Sequence, residues 1–343
     1  MRTFAQPALT ISLAAALLVG CGASQSPIGA PGAMPQSGAT ATDDRDGSWM
    51  SPQAKSDDLL YVSGWCCYSH DDIYVFSYPD GQLVGMLGNL DVPTGLCTDK
   101  LGDIYVTEQD AQLILEYAHG GIKPIKTLTA DNGAPVTCSI DPTTGNLAVA
   151  DEIGYSSVGC CSGFIAIYAN ASGLPMKYTA PNIYYYDSCV YDDRGNLYTD
   201  GKNSSMGGPF YAELPKGSSA FNDFTVPTSA EGYSLAWDGK YLATEVAAST
   251  LTDTIYRLTV SGSNAMIVGS TQLQGWKSFA NIQFLVRGHH LVQPVRGPHK
   301  DTHGYHKVGF WTYPGGKRVR VLRGFGGHDQ HLFGVALSLA PSR

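Results

Sequence analysis

The chain has 343 residues, with 22 Lys and Arg against 30 Asp and Glu, and a formal net charge of −8. Charged residues make up only 15% of it, so a basic surface for nucleic acid is not expected. After the first 21 residues, no apolar stretch is long enough to span a membrane. Residues 58–343 suffice for one large all-β domain, which we expect to be monomeric.

The first 21 residues have the organisation of a secretory signal. Arg2 precedes an apolar run from Ala8 to Val19, and small residues lead to Cys21. The sequence Leu18-Val19-Gly20-Cys21 resembles the lipobox of bacterial lipoproteins. That resemblance implies that Cys21 is acylated, becomes the new N-terminus and anchors the chain to a membrane of the bacterial cell envelope. A plain signal peptide with an incidental cysteine is the alternative.

Residues 22–57 are rich in Gly, Ala, Ser, Pro and Gln and contain almost no large apolar residues. Such a segment cannot bury enough surface to offset the entropy lost on ordering it, so we predict a disordered tether. In Gram-negative lipoproteins, an Asp directly after the anchor often retains the protein at the inner membrane. Residue 22 is Gly, so the resemblance favours the outer membrane.

From residue 58 onwards, short apolar runs alternate with turns. Residues 93–128 show the pattern most clearly, with predicted strands at Gly95–Thr98, Ile104–Thr107, Leu113–Tyr117 and Ile125–Leu128. A polar turn, Asp99 to Asp103, separates the first two strands. Four strands joined in this way make one antiparallel meander, and its recurrence along the chain indicates a β-propeller.

Two landmarks count the repeats. The inner hairpin occurs five times, at residues 96–107, 138–150, 189–200, 235–245 and 284–294, and a strand that runs into a Gly turn occurs six times. The sixth inner hairpin is divided between the chain ends: Leu59–Ser63 is a second strand without a first, and Gly334–Ser338 is a first strand without a second. The sequence therefore predicts an all-β, six-bladed propeller of four-stranded antiparallel blades, closed by pairing of these two segments.

The hairpin in residues 93–117, with its Pro-Thr-Gly start, Asp turn and Ile-Tyr-Val strand, resembles the NHL repeat. The resemblance covers nearly all of residues 58–343 and is strongest in blades two to four. Blades five and six depart from it, since the turn at Asp238 is shorter and Arg287 replaces the turn acid. The phrases EYAHGGIKPIKTL, IDPTTGNLAV and AELPKGSS are similar to a group of bacterial NHL-type lipoproteins. This likeness implies the fold and the cellular location, but no activity.

Seven cysteines follow Cys21, and an exported chain permits disulfides among them. The candidates are Cys66, Cys67, Cys97, Cys138, Cys160, Cys161 and Cys189. The innermost strands of blades two, three and four carry Cys97, Cys138 and Cys189. Side chains alternate along a strand, so Cys97 and Cys138 can point towards each other across neighbouring blades. Small buried apolar residues are an equal alternative, and the odd total leaves at least one thiol free or paired between chains.

Propeller topology assigns the loops to two rims. We call the rim where the first and second strands of a blade meet the bottom rim. The rim where the second and third strands meet, and where each blade leads into the next, is the top rim. Binding and catalytic residues usually lie on loops or at a channel mouth. The predicted top loops are long, whereas the bottom turns are short and polar, so we expect function at the top.

Six of the nine histidines fall on one sector of the top rim. They are His299, His303 and His306 in the blade-six loop, His328 and His331 in the connection from blade six to blade one, and His70 in the blade-one loop. Imidazole suits zinc, copper or nickel, and a catalytic zinc site needs three protein ligands and an open position. The sequence thus offers a transition-metal site, with a polar loop that merely carries histidines as the alternative.

Other residues near the top rim have two interpretations each. The acids Glu108, Asp151, Asp200 and Glu245 follow second strands and either line a pocket or form exposed blade ends. The aromatic residues Tyr184, Tyr185, Tyr186 and Trp276 either stack on a sugar or pack between blades. Two functions therefore stay open: a binding scaffold for a protein or glycan ligand, and a metal-dependent lyase or hydrolase. No residue is assigned a catalytic role.

Overall fold

The computed structural model describes residues 42–43, 47–65, 71–156, 159–203, 207–227, 232–247, 253–275, 283–295, 307–323, 325 and 331–341. The predicted signal sequence, Cys21 and the first part of the predicted tether lie outside these residues. Within the described ranges, strands are accompanied by two short 3₁₀ helices, Pro52–Lys55 and Ala169–Ala171. A helix with the length and apolar character needed to cross a bilayer does not occur in those ranges.

Blade two shows how the sequence sets the repeat. Its strands are Pro93–Thr98, Ile104–Glu108, Leu113–Tyr117 and Pro124–Thr129, paired antiparallel in chain order. The predicted strands are confirmed, with bounds that shift by one or two residues. At the first turn, the Asp99 carboxylate accepts the backbone N–H groups of Leu101 (2.8 Å) and Asp103 (2.9 Å). Gly102 adopts φ +86°, a conformation that disfavours a side chain, so this turn requires glycine.

Six sheets repeat this plan and form the six blades. In chain order, the strands are β1 Thr42–Asp43, β2 Trp49–Met50, β3 Asp58–Trp65, β4 Asp72–Tyr78, β5 Leu83–Leu87, β6 Pro93–Thr98, β7 Ile104–Glu108, β8 Leu113–Tyr117, β9 Pro124–Thr129, β10 Gly133–Ile140, β11 Leu147–Ser156, β12 Gly159–Tyr168, β13 Met176–Tyr178, β14 Tyr185–Tyr191, β15 Leu197–Lys202, β16 Phe210–Leu214, β17 Asn222–Phe224, β18 Gly232–Trp237, β19 Leu242–Ala247, β20 Asp253–Ser261, β21 Asn264–Gln272, β22 Leu285–Arg287, β23 His290–Val295, β24 Lys307–Thr312, β25 Arg318–Leu322 and β26 His331–Ser338. Blades two to six take β6–β9, β10–β13, β14–β17, β18–β21 and β22–β25, and blade one takes β26 with β3, β4 and β5.

The ring closes as predicted, by pairing of the two ends of the chain. Strand β26 runs antiparallel to β3, with Val335 opposite Val62 and Ser338 opposite Leu59. The backbone N–H of Gly334 donates to Ser63 Oγ at 2.8 Å. A Cβ at Gly334 would lie 2.5 Å from the carbonyl oxygen of Thr94 in blade two, so the approach of the neighbouring blade requires glycine here.

The ordered domain begins before residue 58, where the predicted tether ended. Strand β2 adds to the outer edge of blade one, where Trp49 lies opposite Met86, and β1 adds beyond it. Met50 is buried, and its sulfur occupies the space that a side chain at Gly85 would fill. Two apolar residues inside a polar segment are enough to extend an existing sheet, although they do not change the composition on which the tether prediction depends.

Six clusters of buried apolar side chains fill the spaces between neighbouring blades. Alternation along the strands produces them: Leu59 and Tyr61 of β3 face blade two, whereas Leu60 and Val62 face blade six. Both faces of a blade are therefore buried. This explains why the strands read as continuous apolar runs, because neither face needs to be polar.

A disulfide joins Cys97 on β6 to Cys138 on β10, with a Cα–Cα distance of 5.6 Å. The two cysteines lie on the innermost strands of neighbouring blades, so the predicted pairing across blades two and three is confirmed. Cys189, on the innermost strand of blade four, carries a buried thiol that contacts the carbonyl oxygen of Ala148 at 3.8 Å. Burial raises the pKa of this thiol to about 12, so it behaves as a small apolar core residue.

Candidate functional site: the central channel and its two ends

The six innermost strands, β26, β6, β10, β14, β18 and β22, surround a cavity of about 450 Å³. Its walls are largely apolar and include Leu96, Val190, Leu235, Phe284 and Ala336. The Cys97–Cys138 disulfide and Cys189 also line it. All blades contribute to this space, so it exists only when the ring is closed.

Gln283, which precedes β22, lines the cavity on its top side. Its Oε1 accepts the backbone N–H of Leu96 at 2.9 Å, and its Nε2 donates to the carbonyl oxygen of the same residue. This amide therefore reaches from blade six to blade two past Gly334 of blade one, where its Oε1 would lie 2.8 Å from an added Cβ. The cavity extends from Gln283 towards the bottom turns, whose residues Lys100, Gly102, Pro142 and Arg287 form its rim.

The acids of the bottom turns serve the turns themselves. Asp192 accepts the backbone N–H groups of Arg194 (2.9 Å) and Asn196 (2.8 Å), and Asp238 accepts those of Lys240 (2.9 Å) and Tyr241 (2.7 Å). Asp99 makes the same pattern in blade two. These carboxylates are thus structural hydrogen-bond acceptors, as expected of Asp in tight turns.

The four acids that follow second strands are buried, so the prediction of exposed blade ends does not describe them. Glu108 and Glu245 are 4% and 2% exposed, and Asp151 and Asp200 are fully buried. Burial raises the pKa of Glu108 to about 7, with Asp91 and Asp71 adding to the shift and the N–H of Asp91 opposing it. Burial also raises the pKa values of Asp151 and Glu245 well above the usual range. Buried carboxyls that are costly to ionise therefore replace the surface carboxylates that the sequence suggests.

Asp200 shows how such an acid is held. Its Oδ1 accepts the Ser188 hydroxyl at 2.6 Å, and Ser188 Oγ accepts the N–H of Leu235 in the next blade at 3.0 Å. Within the described part of the chain, its Oδ2 has no hydrogen-bond partner. Burial raises the pKa of Asp200 to about 7, Asp187 adds to the shift, and the Ser188 hydrogen bonds and Lys202 oppose it. The carboxyl links blades four and five but is costly to ionise.

Hydroxyl side chains link other neighbouring blades in the same way. Ser63 donates to the Thr94 carbonyl of blade two, and Thr94 Oγ1 donates to the Pro135 carbonyl of blade three at 3.1 Å. Thr137 Oγ1 accepts the N–H of Cys189 in blade four at 3.2 Å. Sequence reasoning missed these links. For Thr137 and Ser188, the signal is a Ser or Thr directly before a channel-lining residue, as in Thr137-Cys138 and Ser188-Cys189.

We expect the Asp200→Asn variant to be more stable than the wild type at pH 8, by on the order of 2 kcal/mol. The folded pKa, about 7, lies above the unfolded value of 3.8. The stabilising contribution of Asp200 is therefore fully present below about pH 4 and is lost as the pH rises through about 7. The whole shift corresponds to about 4 kcal/mol, and an unpartnered amide N–H at the Oδ2 position cancels part of it.

Urea unfolding from pH 4 to pH 8 measures this difference. Asp193→Asn is the matched control, because Asp193 is exposed in the turn of the same blade. A profile for Asp200→Asn that runs parallel to that of the control over the whole range would show that Asp200 does not titrate in the folded state as described.

The predicted histidine and cysteine sites are described only in part. His70, His299, His303, His306, His328, Cys66 and Cys67 lie outside the described residues. His331 is the first residue of β26, opposite Trp65, and its ring centroid lies 6.5 Å from that of Phe333. Cys160 and Cys161 lie on β12, and Cys161 is exposed. A group of three His, Cys, Asp or Glu able to hold a metal ion is absent from the described part of the chain.

The predicted aromatic residues separate into two groups. Tyr186 is fully buried, and its hydroxyl accepts the N–H of Ala180 at 2.6 Å, so it packs between blades. Tyr184 is 39% exposed at the top rim and contacts Tyr185 edge to face, with ring centroids 4.8 Å apart. Its backbone N–H donates to the Lys202 carbonyl at the end of β15. Trp276 lies outside the described residues.

Comparison with known proteins supports the fold alone. Neither a known protein family nor a curated protein matches the sequence. A chain from the crystal structure of a Nidogen/Laminin complex is similar over 83% of this chain and 100% of its own, with a TM-score of 0.62 and 14% identity. A protein of unknown function from Bacteroides caccae is similar over 82% and 99%, with a TM-score of 0.59 and 15% identity. TolB from Acinetobacter baumannii is similar over 84% and 68%, with a TM-score of 0.55 and 15% identity.

Proposed function

We propose that this chain is an NHL-type propeller, exported and anchored through lipid at Cys21, that binds a protein or glycan ligand at its top rim. The observation that carries the proposal is the contrast between the two rims. At the bottom, the hairpin turns are short and their Asp side chains are used within the turn. At the top, residues 203–209, 225–231, 273–284 and 296–306 connect strands of blades four to six, whereas residues 109–112 and 157–158 form short top connections in blades two and three. Long connections on a rigid ring are the usual place for recognition.

Tyr184 offers an aromatic surface on that rim. It is exposed, while its neighbour Tyr186 fixes the segment in the core. An aromatic ring held by a rigid backbone gives a large contact area at low entropic cost and suits both sugars and proteins. One structural neighbour was solved as part of a Nidogen/Laminin complex, which supports protein recognition as a use of this fold.

We expect Tyr184→Ala to weaken ligand binding about tenfold or more, because exposed aromatic anchors dominate such interfaces. Binding of the full chain carrying Cys21→Ser to immobilised envelope glycans and envelope proteins is measured by biolayer interferometry. Leu174→Ala is the matched control, because Leu174 is 80% exposed and lies in a bottom turn. Equal affinities for the two variants would contradict a top-rim site at Tyr184.

Export and anchoring have a separate test. Cys21→Ser removes the acylated side chain and should move the protein from the membrane fraction to the soluble fraction of the envelope, since several acyl chains are needed for stable anchoring. Fractionation of cells that express either form measures the change. Identical fractionation of both forms would contradict the lipobox interpretation without affecting the binding proposal.

A metal-dependent lyase or hydrolase is the second candidate. The supporting observation is where the strands end: β23 ends at Val295, β24 begins at Lys307, and β26 begins at His331 opposite Trp65 of β3. All four ends lie at the top rim of adjacent blades. The segments that carry the other five histidines of the predicted site leave from these ends. Calorimetric titration of zinc, copper and nickel into chelator-stripped protein decides between the candidates, since an absence of heat leaves only the binding scaffold.

A further inference from the structure

The cavity that opens at the bottom of the channel combines hydrocarbon and aromatic walls with the volume of a small-molecule site. Its volume of about 450 Å³ lies within the range of small-molecule sites, about 300–1,000 Å³. Ile140, Val190, Leu235, Phe284 and Leu337 supply hydrocarbon and aromatic walls that belong to five different blades. Gln283 lines the cavity on its top side and is held there by its hydrogen bonds to Leu96. The bottom-turn residues Lys100 and Arg287 also line the cavity, so it has an entrance at the bottom rim.

Two cations stand at this entrance. Lys100 lies in the turn of blade two and Arg287 at the end of β22, and both are exposed and line the cavity. Among the described residues, neither has a hydrogen-bond or ion-pair partner. Two other bottom-rim cations are engaged: Lys126 lies 2.6 Å from Glu116, and Lys216 donates to Thr143 at 2.8 Å.

The carboxylate that lines the cavity forms no ion pair with these cations among the described residues. Asp99 is the acid among the residues that line the cavity, and both of its described hydrogen bonds come from backbone N–H groups of its own turn. Lys100 and Arg287 thus place two cationic groups at the mouth of a partly apolar cavity in a chain whose net charge is −8, beside turn carboxylates that are used within their own turns. Charge at the mouth and hydrocarbon inside are complementary to a molecule with an anionic head and an apolar body.

We propose that the channel binds an amphiphilic monocarboxylate, with its apolar chain between the inner strands and its carboxylate at Lys100 and Arg287. This site lies on the rim opposite the proposed macromolecular site and does not depend on it. The bidentate geometry of the Arg287 guanidinium suits a carboxylate, and Lys100 supplies a second charge. The walls favour a ligand with an unbranched or aromatic hydrocarbon body, but they do not specify which one.

Isothermal titration of octanoate, decanoate and dodecanoate, below their micellar concentrations, tests the proposal on the full chain carrying Cys21→Ser. Each two-carbon extension should tighten binding roughly tenfold, because each buried methylene contributes about 0.8 kcal/mol. Decanol should bind more weakly than decanoate to the wild type. The Lys100→Gln/Arg287→Gln variant should lose roughly tenfold affinity for decanoate and none for decanol. Lys240→Gln, which removes one positive charge from an exposed bottom turn outside the cavity lining, is the surface-charge control and should bind like the wild type.

A second variant tests the position of the ligand. Ile140→Trp places an indole inside the mouth and should abolish binding of both decanoate and decanol. The proposal is overturned if affinity does not rise with chain length. It is also overturned if the double charge variant and the Lys240→Gln control bind decanoate equally. The charge variants alter exposed side chains only, so the test stands even where Ile140→Trp fails to fold.

Discussion

Truncation after Phe333 should abolish the cooperative folding of the whole domain. The deletion removes Gly334–Ser338 of β26, in which Val335, Ala336 and Ser338 are buried. It exposes the edge of β3 and one wall of the channel, and it leaves Ser63 without its Gly334 partner. The same segment also contacts blade two, where Thr98 Oγ1 donates to the Leu337 carbonyl at 3.1 Å. A ring without its closing strand loses the contacts that β26 makes with blades six and two, and it presents an unpaired edge that favours aggregation.

Thermal unfolding followed by circular dichroism, with soluble yield, measures the effect. Truncation after Ala340 is the matched control, because it keeps β26 and the hydrogen bond from the Ala340 N–H to Asp58 Oδ1 at 2.9 Å. Gly334→Ala is a milder change that should lower the melting temperature through its clash with the Thr94 carbonyl. A protein ending at Phe333 that melts as cooperatively as the control, and at the same temperature, would show that closure does not stabilise the ring.

Replacing both Cys97 and Cys138 with Ser should destabilise the domain by up to about 4 kcal/mol. The disulfide joins residues that are 41 positions apart, so it removes considerable freedom from the unfolded chain. It also fixes the innermost strands of blades two and three to each other beside the cavity. Equilibrium unfolding in guanidinium under non-reducing conditions measures the loss.

The single variants serve as internal controls. Cys97→Ser and Cys138→Ser each break the same bond, so each should lose nearly as much stability as the double variant. Losses that add up from the two single variants would instead assign the effect to packing at each position. In that case the disulfide would contribute little, and both residues would act as buried apolar side chains.

The fold was largely predictable because its determinants are local. Strand bounds in blade two follow from β-branched and aromatic runs between turns. The turn between β6 and β7 follows from its Asp99 and Gly102, which are residues that favour tight turns. Closure was also predictable, since Leu59–Ser63 and Gly334–Ser338 are the complementary halves of one hairpin. The pairing of Cys97 with Cys138 follows from strand parity in neighbouring blades, although parity alone also allowed two buried thiols.

The interior of the ring was not predictable in the same way, because it depends on contacts between distant residues. Gln283 lies 187 positions from Leu96, which it binds, and nothing near either residue indicates the contact. In the sequence, Asp200 has the position of an exposed blade end, but in the fold it is buried next to Ser188, which also binds Leu235 of the next blade. The tether prediction did not anticipate β1 and β2 for a related reason. Trp49 and Met50 form a strand only because they pair with the existing edge at β5.

The placement of β1 and β2 has a mechanical consequence for a chain held at its N-terminal side. Pulling force from that side enters through β2, which pairs with β5 only at Trp49–Met86 and Met50–Gly85. These contacts open one after another, so they should yield at low force. Strand β3 is different, because it lies between β4 and β26 and must be sheared along both partners at once. Strands β1 and β2 would thus detach and extend before the ring unfolds, and they would pair again when the force is removed.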